Sequence, residues 1–281
     1  MKLILSLIVV VSVTAEGNIV FILEIISGAS KDSQLVQEYL TFFLPTCNKI
    51  SGGDVTSIQQ YPFAASLISN LGSGNLVHRC GGSIIAKSAI LSAASCFYTD
   101  GAVHPAIWWR ARIGSSDSRA GGLVHIINSI IPHPSFSTVT LDNDIAVLKT
   151  TWPMEYTPTV QPARIAGGAY TTNPNDQIWA IGWGATSVTG LREVQFWVIN
   201  QQTCANRYQE LGFSVTSTMV CAGWLDVGVR GQCQGDAGSP LLQDGIVVGV
   251  FSWAQGCADG WYPNINTRVS PYVWWIFNQI N

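Results

Sequence analysis

From about Ile50 to its end, the chain is written in short apolar runs broken by Gly, Pro, Asn and Ser. Gly82–Ala86 and Ala89–Ser92 are two such runs. Further strand candidates are Trp108–Ile113, Val124–Ile131, Ile145–Leu148, Ile178–Trp183, Val194–Ile199 and Ile246–Trp253. In Trp108–Ile113 apolar and basic residues alternate, the period of a half-exposed strand. Many short strands separated by turn residues predict an all-β sandwich or barrel. One helix is expected, at the C-terminus. Ser270 suits an N-cap and Pro271 a first helical position, and Val273, Ile276, Phe277 and Ile280 share one face. With 47% hydrophobic residues and a net charge of −3, disorder is excluded. The same charge argues against nucleic acid or an anionic membrane surface as the main partner, because both reward a basic excess.

The first 49 residues read differently. Met1-Lys2 is a short basic start, Leu3–Val13 is almost wholly apolar, and Val13-Thr14-Ala15 offers a small-residue cleavage site. That is the pattern of a signal peptide over residues 1–15, with Ala29 as an alternative end. A second apolar run covers Ile19–Ile26, yet neither run reaches the ~18 residues of a spanning helix. We therefore expect a secreted chain with a propeptide over 16–49 and no membrane span in the mature protein. Seven cysteines leave one odd, which matters for a secreted protein.

Several motifs occur in order after Ile50. They are Ile50-Ser51-Gly52-Gly53, Cys80-Gly81-Gly82-Ser83-Ile84, Leu91-Ser92-Ala93-Ala94-Ser95-Cys96 and Leu141-Asp142-Asn143-Asp144-Ile145-Ala146. Gly182-Trp183-Gly184, Gly231-Gln232-Cys233-Gln234-Gly235-Asp236-Ala237-Gly238-Ser239-Pro240-Leu241 and Ser252-Trp253 follow. Together they resemble the trypsin-like serine proteases, and Gly223–Gly228 looks most like insect, especially lepidopteran midgut, members. The resemblance covers residues 50–281. It implies two perpendicular six-stranded antiparallel β-barrels with the site between them. It also implies three disulfides: Cys80–Cys96, Cys204–Cys221 and Cys233–Cys257. The odd cysteine is then Cys47, in the segment that activation removes.

The chemistry of such a site needs a serine nucleophile, a histidine base and an aspartate that orients the histidine. By resemblance the aspartate is Asp144, the histidine position holds Ser95, and the nucleophile position holds Ala237. Alanine has no nucleophilic atom, and a serine hydroxyl is no base near neutral pH. Losing such a unit costs about 10⁶ in turnover. The backbone N–H groups of Gly235 and Ala237 are left to form an oxyanion hole. At the specificity pocket, Gly231 stands where trypsins carry an aspartate, so selectivity for Lys or Arg is expected to be lost. Ser252, Ala254 and Asn264 line the same pocket by resemblance, and Asn264 is expected to narrow it. Lys49-Ile50 is the implied activation bond, with Asp236 receiving the new terminal ammonium.

Other nucleophile–base pairs are poorer. Ser239, two residues beyond Ala237, is expected to point away from a bound carbonyl, and His78 is expected to bond to backbone. No metal-ligand spacing, phosphate loop or cofactor motif is present in the sequence. The resulting expectation is a pseudoenzyme: a secreted, monomeric serine protease homologue in gut lumen or haemolymph. It would bind a peptide, a protease inhibitor or a protease. The alternatives are a weak serine-type endopeptidase with a non-standard nucleophile, and a structural or storage role.

Overall fold

The computed structural model describes residues 7–13, 19–25, 51–71, 74–184 and 189–280. The chain divides into two units, Met1–Thr46 and Cys47–Asn281. In the first, strands β1 (Leu7–Val13) and β2 (Ile19–Ile25) pair antiparallel, with Leu7 opposite Ile25 and Val13 opposite Ile19. The two apolar runs are thus strands of one small sheet. Cys47, Lys49 and Ile50 lie outside the described residues, as do the expected cleavage sites after Ala15 and Ala29.

In the second unit, β3 (Asp54–Val55) precedes a closed barrel of β4 (Ala64–Ser69), β5 (Val77–Ala86), β6 (Ala89–Ser92), β9 (Trp109–Ile113), β10 (Leu123–Pro132) and β11 (Ala146–Thr150). A short hairpin, β7 (Tyr98–Thr99) with β8 (Ala102–Val103), stands beside it. The order around the barrel is β10-β11-β6-β5-β4-β9, antiparallel at every seam. Strand β12 (Arg164–Ile165) leads to the second barrel: β13 (Gln177–Gly182), β14 (Arg192–Val198), β15 (Met219–Gly223), β16 (Pro240–Gln243), β17 (Ile246–Trp253) and β18 (Asn264–Arg268). The pairing of β17 with β18 closes that ring, and β12 and β3 pair onto its outside. Closure satisfies every edge, which short strands could not do as an open sheet. The expected fold, two six-stranded antiparallel barrels and a C-terminal helix, is the one found.

The interior follows the sequence pattern. Ala65, Leu67, Ile84, Ile90 and Leu148 fill the first barrel, and Ile178, Ala180, Phe196, Leu241 and Val247 the second, all essentially inaccessible. The three implied disulfides are formed, Cys80–Cys96, Cys204–Cys221 and Cys233–Cys257.

Two helical details differ from expectation. Ser270 begins a 3-10 turn (Ser270–Tyr272) and makes no side-chain cap; helix α2 follows at Val273–Ile280. Ile276 is its fully buried residue, whereas Phe277 is 51% exposed, because the preceding 3-10 turn rotates the face that meets the barrel. A second helix, α1 (Gln201–Gln209), was not expected. It buries only Cys204 and Tyr208 and is otherwise polar, so apolar periodicity could not reveal it. Asn200 was the available signal: its side chain accepts from the N–H of Gln202 (3.0 Å) and Thr203 (3.1 Å).

Candidate active site

Asp144 lies in the loop entering β11 and is fully buried. Its carboxylate gathers donors from two places in the chain. Ser95 donates its N–H to Oδ1 and its hydroxyl to Oδ2, both at 2.7 Å. Ser252, on β17, donates its hydroxyl to Oδ2, and the N–H of Ala94 also contributes. The Asp144 carbonyl accepts from Thr267 on β18 at 2.8 Å, so both barrels fix this residue. Burial pushes the Asp144 carboxyl above the ordinary carboxylate range, and the bonds from Ser252, Ser95 and Ala94 oppose that rise.

The loop Cys233–Ser239 is held by a ladder of its own. Asp236 N–H donates to the Cys233 carbonyl at 3.0 Å, and Ser239 N–H to the Asp236 carbonyl at 2.8 Å. Gly81 N–H donates to the Ala237 carbonyl and Gly238 N–H to the Phe251 carbonyl, both at 2.8 Å. Asp236 is buried, and its carboxylate accepts from the N–H of Gly184 (2.9 Å) and Cys233 (3.0 Å). No cation touches it among the described residues, and burial raises it to about 7.

His78 has a structural position. Its Nε2 lies 2.9 Å from the Gly235 carbonyl and its Nδ1 2.8 Å from Ser66 Oγ. A carbonyl only accepts, so Nε2 carries the proton and Nδ1 accepts from Ser66. The ring thereby clasps the first barrel to the loop, and burial lowers its pKa to about 4. Ser239 is likewise turned inward. It is 1% exposed, and a Cβ placed on Gly81 would lie 2.0 Å from its Oγ. Gly81 is glycine because that hydroxyl occupies the space a side chain would need.

At the pocket, Gly231 is buried and pairs with Ser51, whose N–H donates to the Gly231 carbonyl at 2.8 Å. A Cβ on Gly231 would stand 2.3 Å from the Ala258 nitrogen and 2.6 Å from its Cα. The residue is therefore packed against backbone, not merely lacking a carboxylate. Asn264, 3% exposed, donates from Nδ2 to the Gln232 carbonyl at 3.1 Å, spanning from β18 to the loop. Gln232 and Asn266, both fully buried, stand next to it and were not singled out from sequence. Ala254 is partly exposed just beyond β17. A separate groove of about 290 Å³ on the second barrel, between Trp197, Asn200 and Trp224, contains none of these residues.

The family model described as Trypsin matches residues 50–276. "Trypsin, alkaline A" of Manduca sexta is 46% identical over 236 residues, covering 82% of this chain and 91% of the relative. "Trypsin CFT-1" of Choristoneura fumiferana is 46% identical over 233 residues, covering 81% and 90%. "Achelase-1" of Lonomia achelous is 45% identical over 222 residues, covering 74% of this chain and 100% of the relative.

These relatives correct the expectation that the chain is not an enzyme. Proteins nearly half identical to it across four-fifths of its length are named trypsins, which are enzymes. The expectation rested on two side chains, Ser95 and Ala237. Sites of this kind that lose a triad member still keep about 10³–10⁴-fold acceleration over water from the oxyanion hole and binding. Absence of a side chain therefore does not establish absence of activity. No helix among the described residues is long and apolar enough to cross a membrane.

Proposed function

Since this chain belongs to the trypsin family of serine proteases, we propose that it is secreted and holds an extended peptide segment between its two barrels. The segment is presented by a substrate, a protease inhibitor or another protease. The observation that carries this reading is the preserved frame around Asp144. Ser95, Ser252 and Thr267 converge on it from both barrels, while His78 and Gly81 anchor the loop that would face the bound backbone. A frame fixed before binding lowers the ordering cost of association. The N–H groups of Gly235 and Ala237 serve as the oxyanion hole, and Gly231, Ser252, Ala254 and Asn264 as the side-chain pocket.

One observation favours a second reading, serine-type hydrolysis through a non-standard nucleophile. Ser95 is half-buried, and its Oγ lies 2.7 Å from a buried carboxylate whose pKa is raised, which makes Asp144 a better base than a surface aspartate. In that chemistry the Ser95 oxygen bonds to the acyl carbon, its proton passes to Asp144 and then to the leaving amine as the C–N bond breaks, and water hydrolyses the resulting ester with Asp144 as its base. Ser239 does not fit that role, because its hydroxyl is buried against Gly81.

Titration with a small canonical-loop protease inhibitor, followed by calorimetry, tests the first reading; the expected result is saturable one-to-one binding. Failure to bind both the inhibitor and extended peptides at millimolar concentration would sink it. Fluorophosphonate labelling tests the second. Labelling that survives Ser239→Ala and disappears with Ser95→Ala supports it, and absence of labelling removes it.

A further inference from the structure

At the pocket, Gln232, Asn264 and Asn266 are linked by bonds from side-chain amides to backbone carbonyls. Asn264 Nδ2 donates to the Gln232 carbonyl at 3.1 Å, and Asn266 Nδ2 reaches the Asn264 carbonyl at 3.5 Å. Asn264 and Asn266 lie two apart on β18 and so share a face of the strand. Gln232 is fully buried, yet neither its Nε2 nor its Oε1 has a hydrogen-bond partner; the same is true of Asn266 Oδ1. Buried polar groups are nearly always paired, because each unpaired one costs about 1–3 kcal/mol. The three atoms belong to side chains whose residues are each tied to Asn264, through its amide and through its backbone carbonyl, and they call for a partner.

We propose that this pocket selects a neutral primary carboxamide, the side chain of Gln or Asn, at the residue of the bound peptide that enters it. The inference rests on the peptide-binding reading above. The unpaired set holds acceptors at Gln232 Oε1 and Asn266 Oδ1 and a donor at Gln232 Nε2. A primary amide offers two donors and an acceptor, so it satisfies all three. Whichever way the Gln232 amide is turned, it still presents one donor and one acceptor. An ammonium or guanidinium offers donors only. It would leave an N–H unpaired and bring a charge to a floor where Gly231 supplies no carboxylate and has no room for one. A carboxylate offers acceptors only, and an aliphatic side chain offers neither. Asn264 is the residue that must move, since its side chain spans from β18 to the Gln232 backbone carbonyl. The guest's two N–H groups and its oxygen go to Asn266 Oδ1, Gln232 Oε1 and Gln232 Nε2, and those three bonds must outweigh the one that Asn264 gives up. The site thus discriminates by matching hydrogen bonds, which rejects unmatched side chains more strongly than a hydrophobic pocket does.

The probe is a series of disulfide-closed inhibitor-loop peptides, identical except for Gln, Asn, Lys, Arg, Leu or Ala at the pocket-entering residue. Affinities are read by calorimetry against the full chain. The expected result is that the Gln or Asn peptide binds at least tenfold tighter than the Lys, Arg and Leu peptides. Gln232→Leu should bring the Gln peptide down to the level of the Leu peptide. Gln232→Glu, which keeps size and shape, should abolish the Gln preference and raise the Lys and Arg peptides, and it serves where the leucine variant does not fold. A flat series, or one led by Lys, Arg or Leu, overturns this inference and leaves the peptide-binding reading standing. A series in which no member binds overturns both.

Discussion

At Asp144, one carboxylate holds together what the sequence scatters over Ala94, Ser95 and Ser252, and a single side chain there serves both fold and site. His78 and Gly231 do the same on a smaller scale. His78 has a pKa near 4 against an ordinary value near 6.5, so the folded state resists its protonation. Its contribution to stability is present above pH 6.5 and is lost as pH falls through 4. Chemical denaturation should therefore show the native protein losing about 1–3 kcal/mol relative to His78→Gln between pH 7 and pH 4. A difference that does not change with pH would refute the clasp. Gly231 carries a packing prediction. Because a Cβ there meets the Ala258 backbone, Gly231→Ala should cost about 1–3 kcal/mol, read as a lower melting temperature. Gly231→Asp should cost no less, so restoring a basic-selective pocket needs the Ala258 segment to move as well. An unchanged melting temperature for Gly231→Ala would show that the segment yields freely.

Among the elements, the strands were legible and the helices less so. Ala89–Ser92 and Ile246–Trp253 coincide with β6 and β17, because a strand with both faces buried reads as an unbroken apolar run. Helix α1 was missed, since its stability comes from the Asn200 cap, the Cys204–Cys221 bridge and Arg207 rather than from an apolar face. Arg207 pairs with Asp226 at 2.8 Å and lies over the Trp261 ring at 4.0 Å. For α2, the periodicity placed Ile276 and Phe277 together on the buried face, and the structure separates them. Ile276→Ala should accordingly cost about 2–5 kcal/mol and Phe277→Ser under about 1 kcal/mol, measured as shifts in urea midpoint. Equal costs would restore the original face.

For the whole molecule, the decisive group is Asp236. Its carboxyl is raised to about 7 from an ordinary 3.8, so its favourable contribution is present below about pH 4 and lost as pH rises through 7. The span amounts to at most about 4 kcal/mol. The family's activation chemistry would place a terminal ammonium against it. Cutting at Lys49–Ile50 should thus hold the Asp236 carboxylate ionised and remove most of this pH dependence. The measurement is a stability profile from pH 4 to pH 8 before and after trypsin treatment, with the new N-terminus sequenced. Exposure of Ile50 without a change in the profile would show that Asp236 does not receive it.

What the sequence by itself determined is a mostly β fold of short strands, the two barrels and the disulfide partners through resemblance, and the identities at positions 95, 144, 231 and 237. Those follow from local pattern and from ordered motifs, and both survive without coordinates. Only the tertiary structure decided that Ser95 and Ser252 share one carboxylate, that His78 is a clasp, that Ser239 faces inward and that Gly231 is packed against the Ala258 backbone. It also brought Gln232 and Asn266 together as unpaired groups. Each of these depends on contacts between residues tens of positions apart, closed by barrel register. A buried polar atom reveals whether it has a partner only when the chain around it is folded.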